Sequence, residues 1–227
     1  MICPLNVPPP PDAHAHAREG HEAPGDVFRL WNIGDPSAPV SPGVFFSAGI
    51  HPRDALKYAP ADFESLWDSP YCLAVGECGL DRTAEPPLPR QTAVFEAQAE
   101  QAVRRGKPLV IHCVRCFPEL LRLKANLVGA DSVAWVLHGF RGAKRKAFEL
   151  LDAGFALSFG AGLLRDAGNM DYFAEIPLDR ILIETDESPE QFPPILAEAS
   201  AMHLLPPSEF AEAVRSNFRR IFRHDPV

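Results

Sequence analysis

The sequence has little that would place it in or carry it across a membrane. No uninterrupted apolar run approaches the roughly 18 residues that a membrane-spanning helix needs. The first residues also lack the charged segment followed by an apolar segment that is typical of a secretory signal peptide. From these absences we expect a cytoplasmic protein with no membrane partner.

The chain also has few cysteines, and its basic residues are fewer than its acidic ones. The five cysteines are an odd number in a chain of 227 residues, which favours reduced thiols over a disulfide framework. Lys and Arg number 22 against 30 Asp and Glu, so the net charge is -8. This balance argues against a broad basic surface for nucleic acid, although metal ions can supply the positive charge of a nuclease site. The one basic run, Lys144 to Lys146, is interpreted as a solvated helix face.

The remaining composition is that of a globular enzyme. Hydrophobic residues make up 46% of the chain and charged residues 23%, which is enough apolar surface for a large core. The length suits one α/β barrel, and no linker or internal repeat divides the sequence. We therefore expect a single domain over residues 1–227.

Short apolar runs alternate with amphipathic segments along most of the chain. The pattern predicts strands at 27–34, 44–50, 72–77, 108–112, 132–138, 155–160 and 179–186, and helices at 61–68, 88–106, 116–129, 143–154, 191–203 and 207–222. A first strand ending at His16 would make about eight parallel strands, or seven if it is too short to pair. Because the proline-rich segment at 35–43 offers no helix, the prediction is a distorted TIM-type (β/α) barrel.

Histidines and carboxylates stand where these strands are predicted to end. His14 and His16 end the first strand, His51 the third, and the others are Glu77, His112, His138 and Asp186. The carboxyl ends of barrel strands share one mouth, where such enzymes build their sites. His14 and His16 are two residues apart, so both face the same side of a strand. Pro8 to Pro11 cannot donate hydrogen bonds to a neighbouring strand, which predicts a short first strand.

This set of residues has the chemistry of a metal centre. Mixed imidazole and carboxylate donors suit Zn, Mn or Fe(II), and Mg to a lesser degree. Six ligands are too many for one catalytic ion with an open position, and suit two divalent ions that share a carboxylate.

Six motifs together carry a resemblance to a known family. The strings DAHAH, GIHP, VGECGLD, VIHC, VLHGF and ILIETD, in this order, resemble the TatD family of metal-dependent deoxyribonucleases among the amidohydrolase-like barrels. HCVR and HGFRG resemble a short subgroup of that family. The resemblance implies a hydrolase with two divalent ions bound by His14, His16, Glu77, His112, His138 and Asp186. It also implies that Glu77 bridges the ions and that Asp186 helps to deprotonate the attacking water.

Five further residues are candidates for supporting roles. His51, Arg115 and Arg141 are expected to bind substrate phosphate, Arg115 from a position three residues after His112 where the family pattern has two. Asp12 and Asp81 are expected to support the site by hydrogen bonds to ligands. For each of them an ordinary turn or surface role is the alternative.

The expected substrate is DNA, as single strands or ends, and two other functions stay open. One is an amidohydrolase acting on an amide, a lactone or a small phosphoester; no lysine ends a predicted strand to form the carbamate bridge of many such enzymes. The other is a non-catalytic metal-binding subunit, against which the full ligand set argues. Cys113 and Cys116 form a C-x-x-C motif that is also found in redox proteins, a function we consider subordinate here.

Overall fold

Eight parallel strands form the centre of the protein. The computed structural model describes residues 9–16, 27–165, 170–188 and 192–225. The strands pair in sequence order: β1 (Asp12–Ala15), β2 (Arg29–Ile33), β3 (Phe46–Ala48), β4 (Cys72–Asp81), β5 (Leu109–Val114), β6 (Trp135–Leu137), β7 (Phe155–Phe159) and β8 (Ile181–Ile183). The predicted TIM-type barrel is confirmed, with eight strands. The predicted short β1 is also confirmed, since it begins directly after Pro11.

Helices follow the later strands and are sparse among the first three. They are α1 (Glu64–Trp67), α2 (Leu88–Arg105), α3 (Phe117–Asn126), α4 (Lys144–Asp152), α5 (Gly162–Arg165), α6 (Phe192–Met202) and α7 (Pro207–Phe222). The connection from β2 to β3 contains Pro36, Pro39 and Pro42 and has no helix, as predicted. Within the described ranges, no helix is both long enough and apolar enough to cross a bilayer.

Two strands extend past their predicted ends. β4 continues to Asp81 and β5 to Val114, so Glu77 and His112 lie within strands. The β4–β5 register shifts between Val75 and Cys78, after which pairing resumes. Each of these apolar runs is interrupted by a polar candidate ligand, yet the strand continues past it. The backbone beyond the ligand still pairs with the neighbouring strand.

The barrel closes at a narrow seam between β1 and β8. One isolated parallel bridge joins Ala15 to Asp186. The Asp186 amide donates to the His14 carbonyl at 2.9 Å, and the His16 amide donates to the Asp186 carbonyl at 3.4 Å. Asp186 lies three residues beyond β8, and this seam brings it beside the two histidines of β1.

An apolar layer fills the barrel beneath the polar mouth. Val110, Val136 and Leu182 are buried, and each precedes His112, His138 or Glu184 by two residues. Strand alternation places each pair on the same face, so the apolar residues point inward below the polar ones. They form one cluster with Phe218, Ile221 and Phe222 at the end of α7. The histidine-bearing mouth therefore stands on a packed floor.

Candidate metal centre

Glu77 is the common partner of the histidines at the barrel mouth. The side chain is almost fully buried, and its two carboxylate oxygens face different groups. Oε1 lies 2.9 Å from His138 Nε2, 3.0 Å from His112 Nδ1 and 3.3 Å from His51 Nε2. Oε2 lies 3.4 Å from His16 Nε2 and 3.6 Å from His14 Nε2. One carboxylate therefore connects two separate sets of imidazoles.

The first set joins β1 to the segment after β8. His14 Nε2 and His16 Nε2 are 3.2 Å apart. Asp186 Oδ1 lies 3.8 Å from His14 Nε2 and 3.5 Å from His16 Nε2. Ligands that share a tetrahedral ion at about 2.1 Å lie roughly 3.4 Å from one another. The spacing and the N/O donor chemistry of this set therefore fit one divalent ion.

The second set comes from β5, β6 and the turn after β3. His51, Glu77 and His112 offer ligand atoms within 4.8 Å of one another, and His138 Nε2 lies 2.9 Å from the same Glu77 oxygen. His51 differs from its neighbours because its Nδ1 accepts hydrogen bonds from Arg53 N at 3.1 Å and Arg53 Nε at 3.0 Å. In the neutral ring this leaves the proton on Nε2, which faces Glu77 as a donor. The structure thus places His51 inside the cluster, with its ring 4.4 Å from that of His112.

Electrostatics in the cluster oppose the effect of burial. Burial alone would raise the pKa of Glu77, but His138, His112 and His14 hold that pKa well below its ordinary value. Burial alone would lower the pKa of His138, yet Glu77 and Glu184 raise it well above the ordinary value. These shifts describe a buried carboxylate that needs positive charge around it, and divalent ions supply such charge.

Asp81 and Asp12, both expected to support ligands, lie in different positions. Asp81 Oδ2 lies 3.3 Å from His112 Nε2, on the side of the ring away from Glu77. Asp12 instead accepts from Thr185 N at 3.0 Å and Thr185 Oγ1 at 2.7 Å. Its hydrogen bonds thus fix the residue before Asp186, and not a histidine. Burial raises the pKa of Asp12 to about 7, against the hydrogen bonds from Thr185.

The sequence analysis missed two supporting residues, Asn32 and Glu184. Asn32 Oδ1 accepts from the Glu77 amide at 2.8 Å, and Asn32 Nδ2 donates to Glu77 Oε2 at 3.4 Å. Glu184 is fully buried; its Oε1 accepts from Gly139 N at 2.6 Å and lies 3.6 Å from His138 Nδ1. Each is a polar residue in or directly after an apolar strand, and that signal could have identified both.

A cavity of about 840 Å³ opens beside the cluster. His112, His138 and Asp186 line it at the centre, and Arg141 and Arg165 line it as well. Arg115 is exposed and is not among the lining residues, so the structure brings Arg141 to the cavity and leaves Arg115 outside it.

The basic run at the start of α4 consists of paired side chains. Lys144 pairs with Glu175, and both Arg145 and Lys146 pair with Glu149. This agrees with its interpretation as a solvated helix face.

The C-x-x-C motif lacks the properties of a redox pair. Cys113 and Cys116 are free thiols. Burial raises the pKa of Cys113 to about 12, whereas the reactive cysteine of a redox motif has a lowered pKa.

The parallel barrel and the histidine–carboxylate cluster at its mouth define the class of protein, an α/β barrel with a candidate metal site. The family model described as TatD related DNase matches residues 37–223. The chain belongs to this family.

Individual relatives agree with this assignment. The chain is 35% identical over 151 residues to the "3'-5' ssDNA/RNA exonuclease TatD" of Edwardsiella piscicida, covering 62% of this chain and 56% of that protein. It is 32% identical over 169 residues to the human "3'-5' RNA nuclease TATDN2", covering 68% of this chain and 22% of that protein. The chain thus spans little more than half the length of the first relative and a smaller share of the second.

Solved structures show the same architecture. The crystal structure of YJJV, a TatD homologue from Escherichia coli K12, superposes with a TM-score of 0.70 at 25% identity, covering 79% of this chain and 77% of that one. A TatD family hydrolase from Entamoeba histolytica superposes with a TM-score of 0.68 at 17% identity, covering 86% of this chain and 75% of that one, and supports the fold alone.

Proposed function

We propose that this protein is a metal-dependent phosphodiesterase that uses two divalent ions to cleave single-stranded DNA or RNA, or the ends of such strands. The observation that carries the proposal is the position of Glu77, whose Oε2 faces His14 and His16 while its Oε1 faces His112 and His138. A carboxylate with a separate imidazole set at each oxygen is suited to bridge two ions.

The residues have distinct roles in this proposal. His14, His16 and Asp186 would hold one ion, His112 and His138 would hold the other, and Glu77 would serve as a ligand for both. When bound, the ions lower the pKa of a water molecule and balance charge on the phosphate; their identity, Zn, Mn or Mg, is left to experiment. Asp186, placed at the seam beside His14 and His16, would accept a proton from the attacking water. Asp12 keeps Asp186 in place through Thr185.

Two further groups, His51 and Arg141, are available to the phosphates of the substrate strand. His51 Nε2 lies 3.3 Å from Glu77 Oε1 and would donate a hydrogen bond to a phosphoryl oxygen. Arg141 lines the cavity beside the cluster, where its guanidinium fork can hold a phosphate of the strand other than the scissile one. Both RNA and DNA are included as substrates, because one relative is named for action on both and another for action on RNA. The net charge of -8 favours a substrate held by its reacting end over a long duplex.

The test is hydrolysis of labelled single-stranded DNA and RNA oligonucleotides by metal-loaded protein. We expect turnover by the native chain and a loss of at least a thousandfold in Glu77→Gln and Asp186→Asn. His224→Ala is the matched control, since the His224 ring packs on Phe45 before β3, at the opposite end of the barrel. Full activity in either site variant would refute the assignment. Turnover of amide or lactone substrates, with none of oligonucleotides, would instead favour an amidohydrolase.

A further inference from the structure

The segment 138–143, which joins β6 to α4, carries Arg141 to the wall of the cavity. The Phe140 amide donates to the Ser158 carbonyl at 3.0 Å, and the Gly142 carbonyl accepts from the Tyr172 hydroxyl. Arg141 lies between these two anchored residues. Its backbone is therefore anchored on both sides, so binding need not order the backbone at this position.

The Arg141 side chain occupies space that a glycine leaves open. A Cβ atom at position 162 would come within 2.6 Å of Arg141 Nε and 3.3 Å of Arg141 Cζ. The guanidinium group thus packs on the bare α-carbon of Gly162, at the start of α5. A side chain at position 162 would displace the Arg141 guanidinium group, so Gly162 helps to determine the position of this positive charge.

A second guanidinium group, that of Arg165, lines the same cavity from α5, the helix that begins at Gly162. Arg165 follows Gly162 by three residues, which places both positions on one face of α5. Arg165 Nη2 donates to Ser188 Oγ at 3.1 Å, and Ser188 is two residues beyond Asp186. Arg141 and Arg165 both line the cavity that His112, His138 and Asp186 also line.

The charge of Arg141 is not balanced in the way that the charges of nearby basic residues are. Lys144, Arg145 and Lys146 on α4 each pair with a glutamate. Among the residues that the structure describes, Arg141 has no such carboxylate partner. An exposed guanidinium group that lines the cavity beside the candidate metal centre is suited to a bidentate contact with phosphate.

We propose that Arg141, positioned by Gly162 and accompanied by Arg165, forms a subsite for a second phosphate, the one that neighbours the scissile phosphate in a nucleic acid strand. The proposal rests on the proposed function and narrows its substrate class. The preferred substrate is then a chain with at least two phosphates, and not an isolated phosphoester.

Two matched substrates test the subsite by turnover. The dinucleotide TpT has only a scissile phosphate, whereas the trinucleotide TpTpT has a neighbouring phosphate as well. We expect the native protein to prefer TpTpT. Arg141→Ala should lower kcat/KM for TpTpT by about tenfold or more, chiefly through KM, because charge-assisted hydrogen bonds to the second phosphate are lost. The same variant should leave kcat/KM for TpT within about twofold, a margin smaller than the loss of one such bond.

Two further variants separate position from charge. Gly162→Ala keeps both arginines and displaces the Arg141 guanidinium, so we expect a smaller loss restricted to TpTpT. Arg145→Ala removes an exposed arginine of α4 that is paired with Glu149, and we expect no change with either substrate. An equal loss with TpT and TpTpT in Arg141→Ala, or an equal loss in Arg145→Ala, would overturn the proposal.

A binding measurement distinguishes failure of the subsite from failure of the proposed function. Fluorescently labelled TpT and TpTpT are titrated with the protein in EDTA, where turnover is prevented. Tighter binding of TpTpT that disappears in Arg141→Ala supports the subsite even if no hydrolysis is found. Equal binding of both by the native protein refutes it even if both are hydrolysed.

Discussion

The bridging position of Glu77 makes a prediction about metal stoichiometry that three variants can resolve. His16 contacts only Oε2 of Glu77 and His112 only Oε1, whereas Glu77 belongs to both sets. We therefore expect His16→Ala and His112→Ala each to lose one ion, a different one in each case. Glu77→Gln should lose both, because one uncharged amide replaces the ligand that the two sets share.

The magnitude follows from mass action. An ion at one hundred times its dissociation constant stabilises the folded state by about 2.7 kcal/mol, so two independent ions contribute about 5 kcal/mol. For a chain of this size each kcal/mol raises Tm by about 2–4 °C. Saturating Zn or Mn should thus raise Tm by roughly 10–20 °C in the native protein, by roughly half of that in the two histidine variants, and by almost nothing in Glu77→Gln.

The assay combines calorimetry with elemental analysis of dialysed protein. His224→Ala, at the opposite end of the barrel, serves as the histidine control and should bind two ions. Two ions retained by Glu77→Gln would refute the bridging position. A single ion in the native protein that is lost in both His16→Ala and His112→Ala would show that there is one site and not two.

Three other predictions concern residues around the cluster. Glu184→Gln should weaken metal binding by about 10–100-fold, measured by competition with a chelating dye, because the carboxylate beside His138 Nδ1 orients that ring; unchanged affinity would contradict this role. The pKa of Asp12 is about 7 in the folded protein against an ordinary 3.8, so the folded state keeps a proton that the unfolded chain has released between these values. The free energy of unfolding should therefore fall as pH rises from 4 to 7, by up to about 4 kcal/mol from this group, and urea unfolding of metal-free Asp12→Asn should lack that contribution. An identical pH dependence in both proteins would contradict it. Finally, Cys113, with a pKa of about 12, should react with iodoacetamide at pH 7.5 far more slowly than free cysteine, as followed by mass spectrometry of the folded protein; rapid labelling would reopen the redox interpretation.

The arrangement of strands could be predicted from the sequence because each buried strand is a continuous apolar run bounded by turns. The 108–112 run illustrates this: its pattern predicted the strand but not its extension to Val114. Strand ends depend on which backbone groups find partners across the sheet, and those partners lie on another segment of the chain. The single-residue bridge between Ala15 and Asp186 depends on such distant pairing too.

The candidate ligands were predictable because several polar residues recurred at one end of successive strands. The residues that support these ligands were harder to identify, because the role of each depends on which atoms its side chain faces. Asp12 is an acidic residue close to His14 and His16 in the sequence, which suggests that it orients a histidine, yet its oxygens accept hydrogen bonds from Thr185. Arg115 and Arg141 are equal candidates in the sequence and both are exposed, and only the path of the backbone brings Arg141, and not Arg115, to the cavity.

The seam between β1 and β8 has a consequence for the protein as a polymer. The ion that His14, His16 and Asp186 are proposed to hold would tie position 14 to position 186, where the backbone itself supplies a single bridge. Such an ion acts as a reversible cross-link that closes a loop containing most of the chain, and long loops gain the most from closure in the chain-entropy description. Binding of the ion and attachment of β1 to the segment after β8 would then occur together. Chelation should speed amide hydrogen exchange in β1 before it does so in β5 and β6, which have neighbours on both sides.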